Sequence, residues 1–312
     1  IIEDFMDAID QLISFNRTTG LLQSVAGRNA WDQETMMPSK SGNSRAMEMG
    51  ALEEVIHDRK KNSIVRKLLE QAEPKTPFQR RAYTLIKRAF DRAEAIPSKL
   101  ASDLAATTSL AQMAWQKARQ NNDFSEFSPH LKKVIDLKRE EASLLSPTGD
   151  LYDGLINDYE FGMTKKETSS IFEEMKPRLL DLRQRISEAK LSKPVLEGDF
   201  NTEKQLKLAH EIAETFFYDF DRGRIDIVAH PFCSGGGDDV RITTRVDNKD
   251  PFNCLYSTIH EVGHACYEQN VSSDFLHSPL GSGVSLGIHE SQSRIFENQI
   301  GRSRQFTKWL FK

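Results

Sequence analysis

Apolar residues recur at spacings of three and four over most of the first 218 residues, with charged residues between them. This period is that of an amphipathic α-helix with one face in a core. Thr76 and Pro77 are suited to an N-cap and a first helical residue, and Pro97 begins another helix that runs toward Arg119. A mainly α fold is therefore predicted, with residues 1–218 as a helical scaffold.

Two further helices are predicted from capping boxes, in which a Ser or Thr and a Glu or Gln three residues later satisfy each other's backbone amides. Thr164 and Glu167 form the first box, and Thr202 and Gln205 form the second. Pro177 lies within the helix that Thr164 opens. Because proline lacks the amide hydrogen of a helical residue, a kink or break is predicted there.

The sequence pattern changes after Phe220. Residues 225–228 are β-prone, and residues 240–246 alternate polar and β-branched side chains, which is typical of strands. Three consecutive glycines at 235–237 predict a flexible turn, because no GK[ST] motif follows that would make them a phosphate loop. A small hairpin or three-stranded sheet is expected here.

Two helices are predicted near the end of the chain. Asp250 and Pro251 supply an N-cap and a first helical residue for a helix that extends to about Gln269. The second helix covers residues 285–300 and stops at Gly301. Residues 219–312 are thus expected to hold the sheet and these helices, within a single domain that spans 1–312.

Composition narrows the classes of partner. With 42 basic and 46 acidic residues, the net charge of -4 gives no general attraction to nucleic acid or to an anionic membrane. No apolar run approaches the roughly 20 residues that cross a bilayer, and the N-terminal residues lack the basic and apolar regions of a secretory signal. Three cysteines without a CxxC pair favour a reducing compartment, so a cytoplasmic location is expected.

Residues 260–264 read HEVGH, which places His260 and His264 on one helix face. Imidazoles at this spacing lie about 6 Å apart and can bind one tetrahedral zinc ion. Glu261 is rotated by about 100° from His260, so it can reach a water on the open side of the ion. The pattern indicates a metal site with Glu261 as general base, and it predicts hydrolysis of an amide bond.

A catalytic zinc site needs a third protein ligand. A metzincin would have a histidine six residues after His264, but that residue is Asn270, and Glu268 is rotated about 40° off the metal face. His277 lies in a loop-like segment and stays open as a ligand. Glu290, on the following helix, is 26 residues past His264 and is the preferred candidate.

Three arginines are candidates for supporting roles. Arg294 lies one turn after Glu290 and is expected to hold that carboxylate or a neighbouring one. The strand at 240–246 is predicted to offer backbone groups to an extended peptide by edge-strand addition. Arg241 and Arg245 on this strand can meet a substrate carboxylate, and a solvent-facing charge is the alternative for each.

With HEVGH at 260–264 and HESQSR at 289–294, the sequence resembles the carboxypeptidase Taq family of metallocarboxypeptidases. Further matches are WDQETMMP at 31–38, YD at 152–153 with GMT at 162–164, HPF at 230–232 and DVRITTR at 239–245. These segments extend over nearly the whole chain, so the resemblance does not depend on a single motif.

The resemblance implies a mostly helical fold with a small sheet beside the site, a zinc or cobalt ion, and removal of single residues from peptide C termini with broad preference. It implies His260, His264 and Glu290 as the metal ligands and Glu261 as the base. His289 would donate to substrate or to an oxyanion. It also implies a cytoplasmic homodimer for the full-length form.

Members of this family are considerably longer than this chain, which stops at Lys312, soon after HESQSR. The family's later motifs, among them arginine segments expected to recognise the substrate's terminal carboxylate, have no counterpart here. Two alternatives therefore stay open. One is a zinc endopeptidase, which needs only HExxH and a third ligand, and the other is an inactive metal-binding fragment of the longer enzyme.

Overall fold

The structure, a computed structural model, describes residues 6–146, 149–189 and 197–311. Helices dominate this part of the chain, which confirms the predicted fold class. The first nine described helices are α1 (Ala8–Thr35), α2 (Gly42–Lys60), α3 (Ser63–Gln71), α4 (Pro77–Ala95), α5 (Ser98–Asn121), α6 (Phe124–Leu145), α7 (Leu151–Tyr159), α8 (Lys165–Glu188) and α9 (Thr202–Thr215). The last three are α10 (Pro251–Gln269), α11 (Leu286–Arg294) and α12 (Arg304–Leu310), and a π-helical segment, Ile295–Ile300, follows α11.

Three of the predicted helix starts are confirmed. Thr76 caps α4 in a complete capping box, and α5 begins directly after Pro97. Thr164 and Glu167 form the predicted box at the start of α8. In each box the side-chain oxygen of the cap accepts an amide that the first helical turn leaves without a helical partner.

The predicted capping box at Thr202 is wrong, and a break at Pro177 is absent. Asn201 is the N-cap of α9 in place of Thr202, because the Asn201 side chain accepts the backbone amide three residues on. Gln205 does not return to the helix start, and its amide group donates to two loop carbonyls instead. Pro177 lies inside α8 without breaking it. The helix is exposed on all sides, so the carbonyl that Pro177 leaves unpaired is open to water.

Three short strands form one mixed sheet in the order β1-β3-β2, which confirms the predicted small sheet. β1 (Ile225–Ile227) is parallel to β3 (Asp239–Thr244), and β2 (Cys233–Gly236) is antiparallel to β3. Both sides of β3 are thus paired within the sheet. Edge-strand addition at this strand, which its sequence predicted, is excluded, and β1 and β2 are the outer strands.

The glycine triplet is only partly a turn. Gly235 and Gly236 lie in β2, whereas Gly237 lies in the tight turn to β3 with φ of 62°. At Gly235, φ is 102°, and a Cβ would lie 1.9 Å from the carbonyl oxygen of Asp239. The predicted flexible turn is therefore partly a strand whose backbone only glycine can adopt.

The helix that carries HEVGH is anchored on a core formed with β3 and α9. Ile259 and Val262 of α10 are fully buried against Val240 and Ile242 of β3 and Ile212 of α9. Burying each of these side chains contributes roughly 1.5–3 kcal/mol relative to leaving it in water. Because these residues alternate with His260 and His264 around α10, the core fixes the direction in which the two imidazoles point.

The structure bears on the expectations about membrane spans and about the cysteines. Among the described residues, every helix is too short or too polar to cross a bilayer. Residues 1–5, which belong to the segment predicted not to be a secretory signal, lie outside the described residues. The three cysteines, Cys233, Cys254 and Cys266, are described, and all are free thiols.

Candidate metal centre

The two histidines of HEVGH lie on the same face of α10. The helix extends over Pro251–Gln269, as predicted, and Asp250 caps it by accepting the amide of Phe252. One turn of helix separates His260 from His264, and their ring centroids are 5.0 Å apart. Local helical geometry alone therefore brings the two imidazoles together.

Glu290 of α11 lies opposite these imidazoles. Its Oε2 is 3.7 Å from Nε2 of His260 and 3.3 Å from Nε2 of His264. Two ligand atoms bound at about 2.1 Å to one tetrahedral zinc ion lie about 3.4 Å apart. His260, His264 and Glu290 each offer one ligand atom, and these three atoms all lie within 4.8 Å of one another. Among the described residues, these three form the group of side chains that could hold a metal ion. The three residues thus fit a single ion.

The protonation states of the three residues also favour a metal. Burial, together with the neighbouring His289 and His260, lowers the pKa of His264 to about 4, so its imidazole is neutral at pH 7 and has a free lone pair. Burial acts to raise the pKa of Glu290, but His260 and Arg294 outweigh it, and the pKa lies below its usual value. A neutral imidazole and an ionised carboxylate are the forms that bind metal.

Glu261 faces the same groove, an open cavity of about 1050 Å³. Its side chain is only 6% exposed. Burial, followed by repulsion from the carboxylates of Glu290 and Glu297, raises the pKa of Glu261 to about 8. This carboxylate therefore has a much higher affinity for a proton than one in water, as a general base requires.

Glu297 belongs to the centre, and the sequence did not predict it. Nδ1 of His260 donates to its Oε2 at 2.9 Å, which leaves Nε2 of His260 free to face Glu290. Glu297 lies in the π-helical segment, where the sequence predicted an α-helix. The wider π turn occurs mostly at functional sites, and a carboxylate behind a ligating imidazole is common at metal centres. A glutamate seven residues after Glu290 was the available signal.

Arginines hold both carboxylates in place. Nε of Arg294 donates to Oε1 of Glu290 at 2.7 Å, which is the contact expected from the sequence. Arg302 donates to Oε1 of Glu297 at 2.7 Å. Ser293, fully buried, donates at 2.7 Å to the backbone carbonyl of Glu290, and its hydroxyl lies 3.2 Å from Oε2 of the same residue. Arg294 occupies Oε1 of Glu290, and Oε2 faces the two histidines.

His289 lies beside the three ligand candidates. Its ring stacks on that of His264, with centroids 4.5 Å apart and planes 16° from parallel. Nε2 of His289 is 2.9 Å from Oε1 of Glu268. The N–H of the ring does not point at this oxygen, so Nε2 makes no hydrogen bond among the described residues. His289 also lines the groove, while its Nε2 is buried beside Glu268.

The other predicted residues are divided between two cavities. Arg245 lines the groove with the metal-ligand candidates, and its guanidinium donates to Oδ1 of Asn253. Arg241 lines a second cavity, where it pairs with Asp239 at 2.7 Å and packs over the ring of Trp31. His277 lines that second cavity too. The structure therefore brings Arg245 to the groove but not Arg241 or His277.

Replacing Glu297 with glutamine is expected to raise the Kd for zinc by about 10–100-fold, because His260 loses the charged partner that orients its ring. Competition with a chromophoric chelator measures this change. Glu211→Gln on the exposed face of α9 removes the same charge away from the centre and is expected to leave the Kd unchanged. Equal Kd values for Glu297→Gln and the unaltered chain would contradict the orienting role.

Gly263 sets the distance between α10 and α11. A Cβ at this position would lie 2.6 Å from Cα of Ser293 and 2.9 Å from the carbonyl oxygen of Gln292. Both atoms belong to the α11 backbone, so Gly263→Ala must push the two helices apart. We expect it to lower the free energy of unfolding by about 1–3 kcal/mol and to weaken zinc binding.

Urea unfolding of the variant checks this prediction, and Gly27→Ala is its matched control. Gly27 lies inside α1, and a Cβ there would meet nothing within 4 Å. Alanine at this position is expected to stabilise the chain by roughly 0.5–1 kcal/mol, because glycine loses more backbone freedom on folding. A Gly263→Ala variant as stable as Gly27→Ala would show that the two helices do not pack as described.

HExxH on one helix with a facing glutamate on the next is an arrangement typical of zinc metallopeptidases. The chain belongs to the carboxypeptidase Taq (M32) metallopeptidase family, whose model matches residues 11–312. It is 38% identical to thermostable carboxypeptidase 1 of Thermus thermophilus over 97% of this chain and 63% of the relative. It is 35% identical to thermostable carboxypeptidase 1 of Pyrococcus furiosus over 94% of this chain and 60% of the relative.

Solved structures agree with this assignment. The crystal structure of BsuCP superimposes with a TM-score of 0.93 and 29% identity, over 97% of this chain and 63% of that one. The M32 carboxypeptidase from Deinococcus radiodurans R1 gives a TM-score of 0.83 and 36% identity, also over 97% and 63%. The chain thus spans about three fifths of the length of the relatives it matches.

Proposed function

We propose that this chain carries the metal centre of a zinc-dependent carboxypeptidase, with His260, His264 and Glu290 as the ligands. The observation that carries the proposal is the convergence of one ligand atom from each residue to within 4.8 Å. Two imidazoles and one carboxylate are a donor set that zinc prefers in hydrolases, and cobalt accepts it as well. Membership of a metallopeptidase family supports the same donor set.

Glu261 is the general base in this proposal. When bound, zinc lowers the pKa of a coordinated water and polarises the scissile carbonyl. The carboxylate of Glu261 takes a proton from the attacking water and passes it to the leaving amine nitrogen, a transfer that contributes typically about 10²–10⁴-fold in rate. Burial and the carboxylates of Glu290 and Glu297 raise its pKa to about 8, so the ionised form of Glu261 binds the proton of the attacking water strongly.

Two other groove residues are assigned to the substrate. His289, whose ring lines the groove beside His264, is the candidate donor for the scissile carbonyl or the oxyanion that forms from it, and its Nε2 must turn away from Glu268 to reach either. Arg245 is the candidate for a substrate carboxylate, because it lines the groove and its guanidinium donates to the uncharged amide oxygen of Asn253. Arg241 is paired with Asp239 and is the weaker candidate.

The substrates proposed are peptides with a free C terminus, shortened one residue at a time with broad preference. The relatives from Thermus thermophilus and Pyrococcus furiosus are carboxypeptidases by name, and this supports the assignment. A cytoplasmic location is proposed on the three free cysteines. A homodimer is proposed for the full-length form on the family resemblance alone.

Mass spectrometry of one unstructured peptide tests the reaction. The zinc-loaded or cobalt-loaded chain is incubated with the peptide in free-acid and C-terminally amidated forms. The proposal predicts a ladder of single-residue losses from the free acid only. Internal cuts in both forms of the peptide would show an endopeptidase instead of a carboxypeptidase, because an endopeptidase does not require a free C terminus.

A second candidate function is metal binding without turnover. It is favoured by one observation, namely that the chain spans only 60–63% of the curated relatives' length. Residues that capture the substrate's terminal carboxylate can lie in the part that has no match here. Bound zinc with no cleavage of either peptide would select this candidate for the 312-residue chain.

A further inference from the structure

A cavity of about 560 Å³ adjoins the groove of the metal centre, and the two share Leu286 and His289 as wall residues. Its other walls come from α4, from the end of α7 and from the loop that precedes α11. We call it the α4 cavity. Its charged side chains are Arg81 and Arg88 of α4, Asp158 of α7 and Glu268 of α10.

The α4 cavity and Arg245 lie on opposite sides of the metal ligands along α10. Arg245 donates to Asn253 in the first turn of this helix, whereas Glu268, in the wall of the cavity, is in its last turn. At a rise of 1.5 Å per residue, Asn253 lies roughly 14 Å before the midpoint of His260 and His264, and Glu268 lies about 9 Å after it. A peptide whose C terminus binds Arg245 therefore extends toward the α4 cavity in its N-terminal direction.

Arg88 is held in the wall of the cavity by uncharged groups. Its guanidinium lies 4.3 Å from the ring centroid of Phe161 and donates to the backbone carbonyl of Asn157. Burial, together with the charges of Arg92 and Arg81, lowers the pKa of Arg88. The guanidinium is thus fixed in position while its charge is left for another group to neutralise.

Asp158, in the same wall, pairs with Arg92 and not with Arg88. Its carboxylate accepts from Nε of Arg92 at 2.8 Å. Glu141, which also accepts from Arg92, accepts from Lys138 at 2.6 Å. Two cations and two carboxylates therefore balance one another in this network, and Arg88 lies outside it.

Arg81 brings a second positive charge to the α4 cavity. It precedes Arg88 by seven residues, which is two helical turns, so the two side chains lie on the same face of α4. Arg81 is exposed and forms no ion pair with a described carboxylate. Glu268, the remaining acid of the wall, lies 2.9 Å from Nε2 of His289 at the border with the groove. The α4 side of the cavity thus offers two guanidinium groups to a carboxylate.

We propose that the α4 cavity binds an acidic side chain of the peptide substrate, N-terminal to the scissile bond, through Arg88 and Arg81. The inference rests on the proposed function, because it takes the C terminus of the peptide to lie at Arg245. A guanidinium recognises a carboxylate through two parallel hydrogen bonds. Peptides that carry a glutamate or aspartate at this position are therefore the preferred substrates.

The position of that acidic residue follows from the spacing along the peptide. The cavity begins about 9 Å past the two histidines along α10, and a volume of 560 Å³ is about 10 Å across. An extended peptide advances about 3.3 Å per residue. The acidic residue is therefore roughly the third to sixth before the scissile bond.

Equilibrium binding of a peptide series to the zinc-loaded Glu261→Gln variant tests the proposal, because this variant is not expected to consume the peptides. Each unstructured peptide carries a single glutamate, moved one position at a time away from the C terminus, and each has a glutamine counterpart. Competition in fluorescence polarisation gives the Kd values. We expect glutamate to bind about 10-fold tighter than glutamine within the predicted positions and equally outside them.

Substitutions in α4 make the test specific to the cavity. Arg88→Gln and Arg81→Gln are each expected to remove most of the preference for glutamate. Arg81 is exposed, so its variants test the proposal even if Arg88→Gln disturbs the packing on Phe161. Arg81→Glu is expected to reverse the preference, so that a peptide with lysine at the same position binds tighter than one with glutamate.

Arg80→Gln is the matched control for these variants. Arg80 is the exposed neighbour of Arg81 in α4, but it does not line the cavity. Its substitution removes the same charge from the same helix and is expected to keep the preference for glutamate. A loss of the preference in Arg80→Gln equal to that in Arg81→Gln would show a general attraction in place of a site.

Three further results would overturn the proposal. They are equal Kd values for glutamate and glutamine at every position, an equal gain from glutamate at every position, and an unchanged preference in both arginine variants. Failure of the proposed function gives a different result, namely binding with the predicted preference but no loss of residues when the chain with Glu261 is used. Cleavage of peptides by that chain, with glutamate and glutamine bound equally, would remove the acidic site alone.

Discussion

Replacing His264 with alanine is expected to abolish stoichiometric zinc binding. Its Nε2 lies 3.3 Å from Oε2 of Glu290, and burial holds the imidazole in the neutral form that binds metal. Loss of a partner behind a ligand costs roughly 10–100-fold in affinity, and loss of the ligand itself costs more. We therefore expect the Kd for zinc to rise by well over about 100-fold. Zinc per chain after dialysis, measured by plasma mass spectrometry, gives the result.

His277→Asn is the control for this variant. His277 was the alternative ligand in the sequence, and it lines a different cavity from the three ligand candidates. Its φ of 59° is in the left-handed region, which asparagine tolerates well. His277→Asn is expected to retain one zinc per chain. If His277→Asn lost zinc and His264→Ala retained it, the metal centre would have to lie in the second cavity.

Replacing Glu261 with glutamine is expected to lower kcat by about 10²–10⁴-fold and to leave the zinc content unchanged. Glutamine keeps the shape of the side chain but cannot take up the proton of the attacking water. It also removes a buried acidic group whose ionised form is disfavoured by burial and by the carboxylates of Glu290 and Glu297. The free energy of unfolding is therefore not expected to fall, which separates a chemical defect from a structural one.

The matched control for Glu261→Gln is Glu203→Gln in the exposed first turn of α9. It removes one negative charge from the surface and is expected to leave kcat unchanged. The assay is the loss of single residues from a free-acid peptide. A Glu261→Gln variant that keeps the full rate with zinc bound would assign the proton transfer to another group, for which His289 is the neighbouring candidate.

Local signals predicted most of the fold. The caps at Thr76, Thr164 and Asp250 fixed three helix starts, because a single side chain decides where the first unpaired amides find a partner. Strand order was not predictable from local pattern: residues 240–246 read like an edge strand, yet β3 is the central strand. Gly235 read as a turn, but it pairs with Val240 in the sheet, and a Cβ there would lie 1.9 Å from the carbonyl oxygen of Asp239.

The part of the candidate site that depends on residue spacing along one helix was predictable from the sequence. The spacing of His260 and His264 and the family resemblance led to Glu290, and the structure brings these three residues together. Glu297 was missed because its position depends on a π-helical turn that the periodicity of 285–300 does not reveal. Arg241 was a substrate candidate by sequence, but it pairs with Asp239 on the same strand and packs over Trp31 of α1, which places it in the second cavity.

Diffraction from zinc-loaded crystals at the zinc absorption edge tests the assignment of the metal centre, because the anomalous signal locates the ion without assuming its ligands. We expect one peak, about 2.0–2.2 Å from Nε2 of His260, Nε2 of His264 and a carboxylate oxygen of Glu290, with a remaining position open to the groove. A zinc peak bound by other residues, such as Cys233 or His277, or a site closed by a fourth protein ligand, would contradict it.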